Sequence, residues 1–173
     1  MSVDAKNRLQ PALLDRLIDD EPDRRVESDS ARVMSKAALR QAVLRDLAYL
    51  LNAVQPLGEA ARRHPGVEGS VLNYGLPPLS GQLASKLDVG DLERAIRDAI
   101  VRFEPRILPD TLRVSARETS SVLDTHNVVE FEITGHLWAQ PVPLEMLLRT
   151  QLDLEAGQVQ IEDLLGPASP RAR

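Results

Sequence analysis

Apolar side chains recur every three or four residues in the N-terminal part of this chain and every second residue in the C-terminal part, which predicts helices followed by strands. Leu39, Val43, Leu47, Leu50, Leu51 and Val54 form the best-defined helical stripe, with Ser35 as its N-cap and Asn52 as a left-handed cap near its end. Ahead of it, Leu9, Leu13, Leu14, Leu17 and Ile18 predict a short helix whose single apolar stripe needs a surface to lie against. The polar run from Asp19 to Arg32 reads as a linker. A second long helix opens at Asp88 or Asp91, turns Leu92, Ile96, Ala99, Ile100 and Phe103 inward, and stops at Pro105.

Beyond Pro105 the period becomes two. Leu112, Val114 and Ala116 alternate with polar residues, and after a polar turn from Ser120 to Asn127 so do Val129, Phe131, Ile133 and Leu137. Leu144, Met146, Leu148, Leu152 and Leu154 continue the pattern, Ala156-Gly157 marks a turn, and Val159 with Ile161 makes a last strand. The expected fold is α+β, with N-terminal helices packed on one face of a C-terminal antiparallel β-meander of about four strands. Residues 1–34 are expected to hold the short helix and linker, 35–165 a single α+β domain, and 166–173 a disordered tail.

Composition narrows the function. A chain of 173 residues with 43% hydrophobic and 27% charged residues is long enough to bury one core and is soluble in character. Aromatic residues make up 3% and the net charge is −5, so nucleic-acid binding through stacking or a basic surface is not supported. The absence of cysteine excludes disulfides and thiolate chemistry. No apolar run approaches the roughly 20 residues of a membrane helix, and Met1 to Asn7 do not resemble a secretory signal, which points to the cytoplasm.

Chemistry is sparse. Gly69, Gly75 and Gly81 lack the spacing of a phosphate loop, and no metal-ligand or nucleophile motif occurs, so no cofactor, metal or small-molecule ligand is expected. Glu130 and Glu132 share a strand face about 7 Å apart, a separation near that of inverting glycosidases, which makes a peptidoglycan hydrolase the alternative function. His136 on the same face lies too far along the strand to share an ion with them. His64 and His126 have no partner evident from spacing, and Arg40, Arg45 and Asp46 fall off the helical stripe and read as a solvated face.

The most unusual stretch is Phe103-Glu104-Pro105-Arg106. Pro105 has no N–H and drives Glu104 out of helical dihedrals, so the helix ends between two opposite charges, with Arg106 able to reach a carboxylate or the free last carbonyls. Ser70 to Pro77 adds a short clamp in which Asn73 ties down backbone and Gly75 supplies a positive φ.

Three motifs occur in order: Val43-Leu44-Arg45-Asp46-Leu47 leading to Leu50-Leu51-Asn52, then Ser70-Val71-Leu72-Asn73-Tyr74-Gly75, then Phe103-Glu104-Pro105-Arg106. Together they resemble the TssE family of type VI secretion baseplate subunits, relatives of the small wedge protein of contractile phage tails, over roughly Leu13 to Asp163. Departures are mild: Ile107 replaces a usual leucine, and Ala48-Tyr49 a commoner acidic residue. The resemblance implies a structural, non-enzymatic protein despite the label "lysozyme-like" that this Glu-Pro-Arg family often carries. It implies docking on the larger wedge subunits, of TssF and TssG type, and initiation of the sheath by strand exchange with sheath subunits. Glu104, Pro105 and Arg106, with Asn73, Tyr74 and Gly75, are the expected partner-binding residues. On this reading Arg106→Ala leaves the isolated fold near its normal melting behaviour and abolishes co-purification with the wedge.

Overall fold

The computed structural model describes residues 12–17, 23, 34–56, 63–79, 88–117, 128–139 and 141–166. Leu9, Ile18, the linker apart from Asp23, the turn from Ser120 to Asn127 with His126, Gly81, and the tail from residue 167 lie outside the described residues.

Two long helices carry the apolar stripes. The first, α2 (Lys36–Asn52), follows a five-residue α1 (Leu13–Leu17) and begins at Ser35, whose hydroxyl accepts from the Ala38 N–H at 3.0 Å. A one-turn α3 (Pro65–Glu68) and a 3₁₀ turn (Val71–Asn73) lead to α4 (Val89–Phe103). Asp88 caps α4, its Oδ1 accepting from Gly90 N at 2.8 Å and Asp91 N at 3.2 Å. Two otherwise orphaned donors are thereby satisfied, and Asp88→Ala will destabilise the fold by about 1 kcal/mol, measurable as a lower urea midpoint.

After a second 3₁₀ turn (Pro109–Thr111), the chain forms β1 (Arg113–Ala116), β2 (Val128–Leu137), β3 (Leu144–Asp153) and β4 (Gln158–Asp163). They pair antiparallel in the order β1-β2-β3-β4, an unbroken meander as expected. Strand alternation puts Phe131, Ile133 and Leu137 of β2 and Met146, Leu148 and Leu152 of β3 on the buried face. Leu39, Val43, Leu47, Leu50 and Leu51 of α2 and Leu92, Ile96, Ala99 and Ile100 of α4 complete the same core. Each such Leu, Ile or Phe contributes roughly 1.5–3 kcal/mol by leaving water, so this helix-on-sheet layer is the main source of stability.

Three local expectations change. Val54 is not part of the buried stripe: it is 59% exposed and bridges in parallel to Leu76 beyond the end of α2. Asn52 is not a left-handed cap. The helix ends at Ala53 in extended conformation (φ −84°, ψ 144°), and the Asn52 amide is committed to β4, its Nδ2 donating to Val159 O and its Oδ1 accepting from Val159 N, both at 2.9 Å. In α1 the leucines do not find a surface; Leu13 and Leu17 are 75% and 73% exposed, and the helix is held instead by Asp15.

Candidate functional site

The end of α4 is shaped by Pro105. Glu104 donates its N–H to Ile100 O at 2.8 Å, then leaves helical dihedrals (φ −121°, ψ 79°). This turn folds the Glu104 side chain back over the proline. Its Oε1 accepts from Arg106 N at 3.1 Å and Arg106 Nε at 2.7 Å, while its Oε2 accepts from Arg106 Nη2 at 2.5 Å. A two-point carboxylate–guanidinium pair thus spans one proline, and only an arginine fork fits it.

The pair continues onto α2. Arg106 Nη2 also donates to Asp46 Oδ2 on α2 at 2.5 Å, and Asp46 Oδ1 accepts from Arg45 Nε at 2.9 Å. Arg45 Nη1 donates to Asp15 Oδ1 at 2.7 Å, and Asp15 Oδ2 accepts the Ala12 N–H at 3.0 Å. Charges therefore alternate from Glu104 through Arg106, Asp46 and Arg45 to Asp15, tying α4, α2 and α1 together. Burial by itself would lower the Arg106 pKa, but the hydrogen bonds and charges of Glu104 and Asp46 outweigh it and leave it above the ordinary guanidinium value. Arg45 is likewise raised, the carboxylates of Asp15 and Asp46 prevailing over burial.

Glu104 is 3% exposed, whereas the Arg106 side chain keeps 23% of its surface and Pro105 is exposed. The corner is thus buried on its acidic side and accessible on its basic side. It is not a solvated ion pair, and Arg106 spends its donors on carboxylates rather than on the free carbonyls of α4. The expectation that Arg106→Ala melts normally must be corrected for the same reason: the substitution strands a buried carboxylate.

An open cavity of about 450 Å³ lies against the corner. Its polar wall is Asp46, Glu104 and Arg106, and its apolar wall is Leu50, Tyr74, Phe103 and Pro105, with Ala12 at the rim. The Tyr74 ring meets Phe103 edge to face, centroids 5.2 Å apart at 64°. Burial first, then the negative charges of Asp46 and Glu104, raise the Tyr74 pKa, so the phenol stays protonated at neutral pH.

The other two residues of the clamp lie elsewhere. Asn73 is buried at 4% exposure and donates from Nδ2 to Glu68 O at 3.3 Å, with no partner for its Oδ1 among the described residues. Gly75 has φ 114°, and an added Cβ would stand 2.3 Å from Ala53 O. It joins the clamp to the end of α2, where Leu76 N donates to Ala53 O and Gln55 N to Leu76 O, both at 2.8 Å. The structure therefore brings Tyr74 to the cavity with Glu104, Pro105 and Arg106, whereas Asn73 and Gly75 do not line it.

Asp46, Arg45 and Asp15 belong to the site although periodicity assigned Arg45 and Asp46 to solvent. Their signal was adjacency: Arg45-Asp46 interrupts an otherwise apolar Val43 to Leu47, a charge pair next to the best-buried turn of α2. Arg40 is also no free surface charge, since it pairs with Asp163 at 3.0 Å.

Glu130 and Glu132 lie on the sheet face opposite the helices, where Glu130 accepts from Gln151 Nε2 at 2.8 Å. Neither lines the cavity at the corner. Among the described residues, no group of three His, Cys, Asp or Glu is placed to hold a metal ion, and no helix is long and apolar enough to cross a membrane.

No curated protein and no solved structure matches the chain. A family model does: that of the baseplate wedge protein gp25, over residues 37–142, a span that runs from the start of α2 through the corner and β2 to just before β3. This family is structural rather than enzymatic, which removes the hydrolase alternative. With the match covering well over half of its residues, the chain belongs to the baseplate wedge protein gp25 family.

Proposed function

We infer that the chain is the TssE-type wedge subunit of a type VI secretion baseplate, working in the cytoplasm on the membrane-docked apparatus. The corner docks on the larger wedge subunits, of TssF and TssG type, and a sheet edge receives strands of the first sheath ring by β-augmentation. The observation that carries the docking role is the partly accessible fork: Glu104 and Asp46 aim and desolvate Arg106, while Pro105, Tyr74 and the cavity present an apolar seat around it. A charged hydrogen bond to a partner made there is strong because the orienting cost has been met within the monomer, and losing one side costs about 2–5 kcal/mol.

Two substitutions separate docking from folding. Tyr74→Ala removes the half-buried ring from the seat without touching the ion pairs, and Arg106→Lys keeps the charge opposite Glu104 but removes the fork. Both are expected to lower recovery of wedge subunits in co-purification at least about tenfold, with far smaller losses of melting temperature than Arg106→Ala. Full recovery with both variants would reduce the corner to an internal brace.

A further inference from the structure

Both edges of the sheet are occupied by side chains from helices. At the β1 edge, Glu93 of α4 accepts the outward Ala116 N–H at 2.6 Å. At the β4 edge, Asn52 of α2 takes both outward groups of Val159 at 2.9 Å, and twelve residues earlier on the same helix Arg40 holds Asp163 at 3.0 Å and Glu145 O at 2.5 Å. The two guards differ in kind. Glu93 supplies one charged acceptor to one N–H, whereas the Asn52 amide offers one donor and one acceptor, the same pair that a residue of an added strand offers.

We propose that β4 is the edge that accepts the incoming sheath strand and that Asn52 is a displaceable latch on it, a step that rests on the sheath-initiation reading above. Exchange at Val159 conserves hydrogen bonds: the strand's C=O and N–H replace Oδ1 and Nδ2 of Asn52, whose Nδ2 keeps its bond to Ala48 O at 2.8 Å while the freed N–H and oxygen turn to water. Opening β1 instead breaks a charge-assisted bond without an equivalent charge in return. The β4 edge is also the longer, six residues against four. Arg40 marks the far limit, so the run available to the strand is Val159 to Asp163, with half-buried Ile161 at its centre to pack an apolar or small side chain of the newcomer. The latch gives the free protein a way to satisfy an edge that would otherwise recruit other chains.

The test measures capture of the sheath subunit of the same apparatus by the full chain and by Asn52→Ala and Glu93→Ala, using biolayer interferometry. The expected result is an association rate about tenfold higher for Asn52→Ala, as two net hydrogen bonds no longer compete, with Glu93→Ala unchanged. Acceleration by Glu93→Ala alone assigns the strand to β1 and overturns the proposal; equal rates for all three make Asn52 a mere tether and overturn it too. If no form captures sheath while wedge subunits still co-purify, the sheath contact and the latch both fall and the docking role stands. Should Asn52→Ala not fold, the wild type decides: on sheath binding the one of its two Asn52 side-chain N–H resonances that is held by Val159 O must move to a solvent-like position while the Val159 amide stays protected. An unmoved Asn52 resonance in the complex overturns the latch.

Discussion

Arg106→Ala will lower the stability of the isolated protein by about 3 kcal/mol, the low end of what breaking a buried ion pair costs. For a chain of this length that corresponds to a melting temperature lower by roughly 6–12 °C. The reason is geometric. Glu104 is 3% exposed and has its two oxygens engaged by Arg106 Nε and Nη2, so without the guanidinium it keeps only the backbone N–H of residue 106. Asp46 suffers less, because it is a quarter exposed and retains Arg45. The apolar double variant Glu104→Leu with Arg106→Met is expected to be more stable than Arg106→Ala, since no charge is left unpaired. Differential scanning calorimetry of the singles and the double checks this, and a melting temperature for Arg106→Ala within 2 °C of wild type, on the order of 1 kcal/mol or less, would refute the buried-brace geometry.

Gly75→Ala will be at least as damaging, by about 3 kcal/mol or more. At φ 114° an L side chain is strained, and the new Cβ would sit 2.3 Å from Ala53 O, a backbone atom that cannot rotate aside. That carbonyl accepts the Leu76 N–H, so relief of the clash breaks the join between the clamp and α2. Tyr74 moves with it, and the cavity loses an apolar wall. Gly75→Ala should therefore reduce both thermal stability and wedge recovery, whereas Tyr74→Ala reduces mainly recovery. Urea denaturation that finds Gly75→Ala within about 1 kcal/mol of wild type would contradict the described backbone.

These two substitutions show how the corner is built. Glu104 and Arg106 are neither a catalytic pair nor two loose surface charges: the first is a buried anchor and the second an aimed, partly accessible donor. The docking role proposed for the corner draws on that arrangement, since binding gains from groups that are already oriented. Glu130 and Glu132, whose spacing alone suggested a hydrolase, show the converse. Any alternating strand with an acidic wet face reproduces that spacing, and only a cleft would give it meaning.

The order of helices and strands, the inward stripes of α2 and α4, the cap at Ser35, a helix start at Asp88 or Asp91 and the stop at Pro105 were legible in the sequence, because periodicity, capping and proline geometry are local. The clamp glycine was legible for the same reason, as a positive φ leaves few alternatives to Gly75. The tertiary structure alone decided that Asp46 joins Arg106 across 60 positions, that Glu104 is buried, and that Asn52 serves β4 across 107. Those facts depend on how α2 lies against α4 and the sheet, and a polar residue beside an apolar stripe reads the same in sequence whether water or a buried partner receives it.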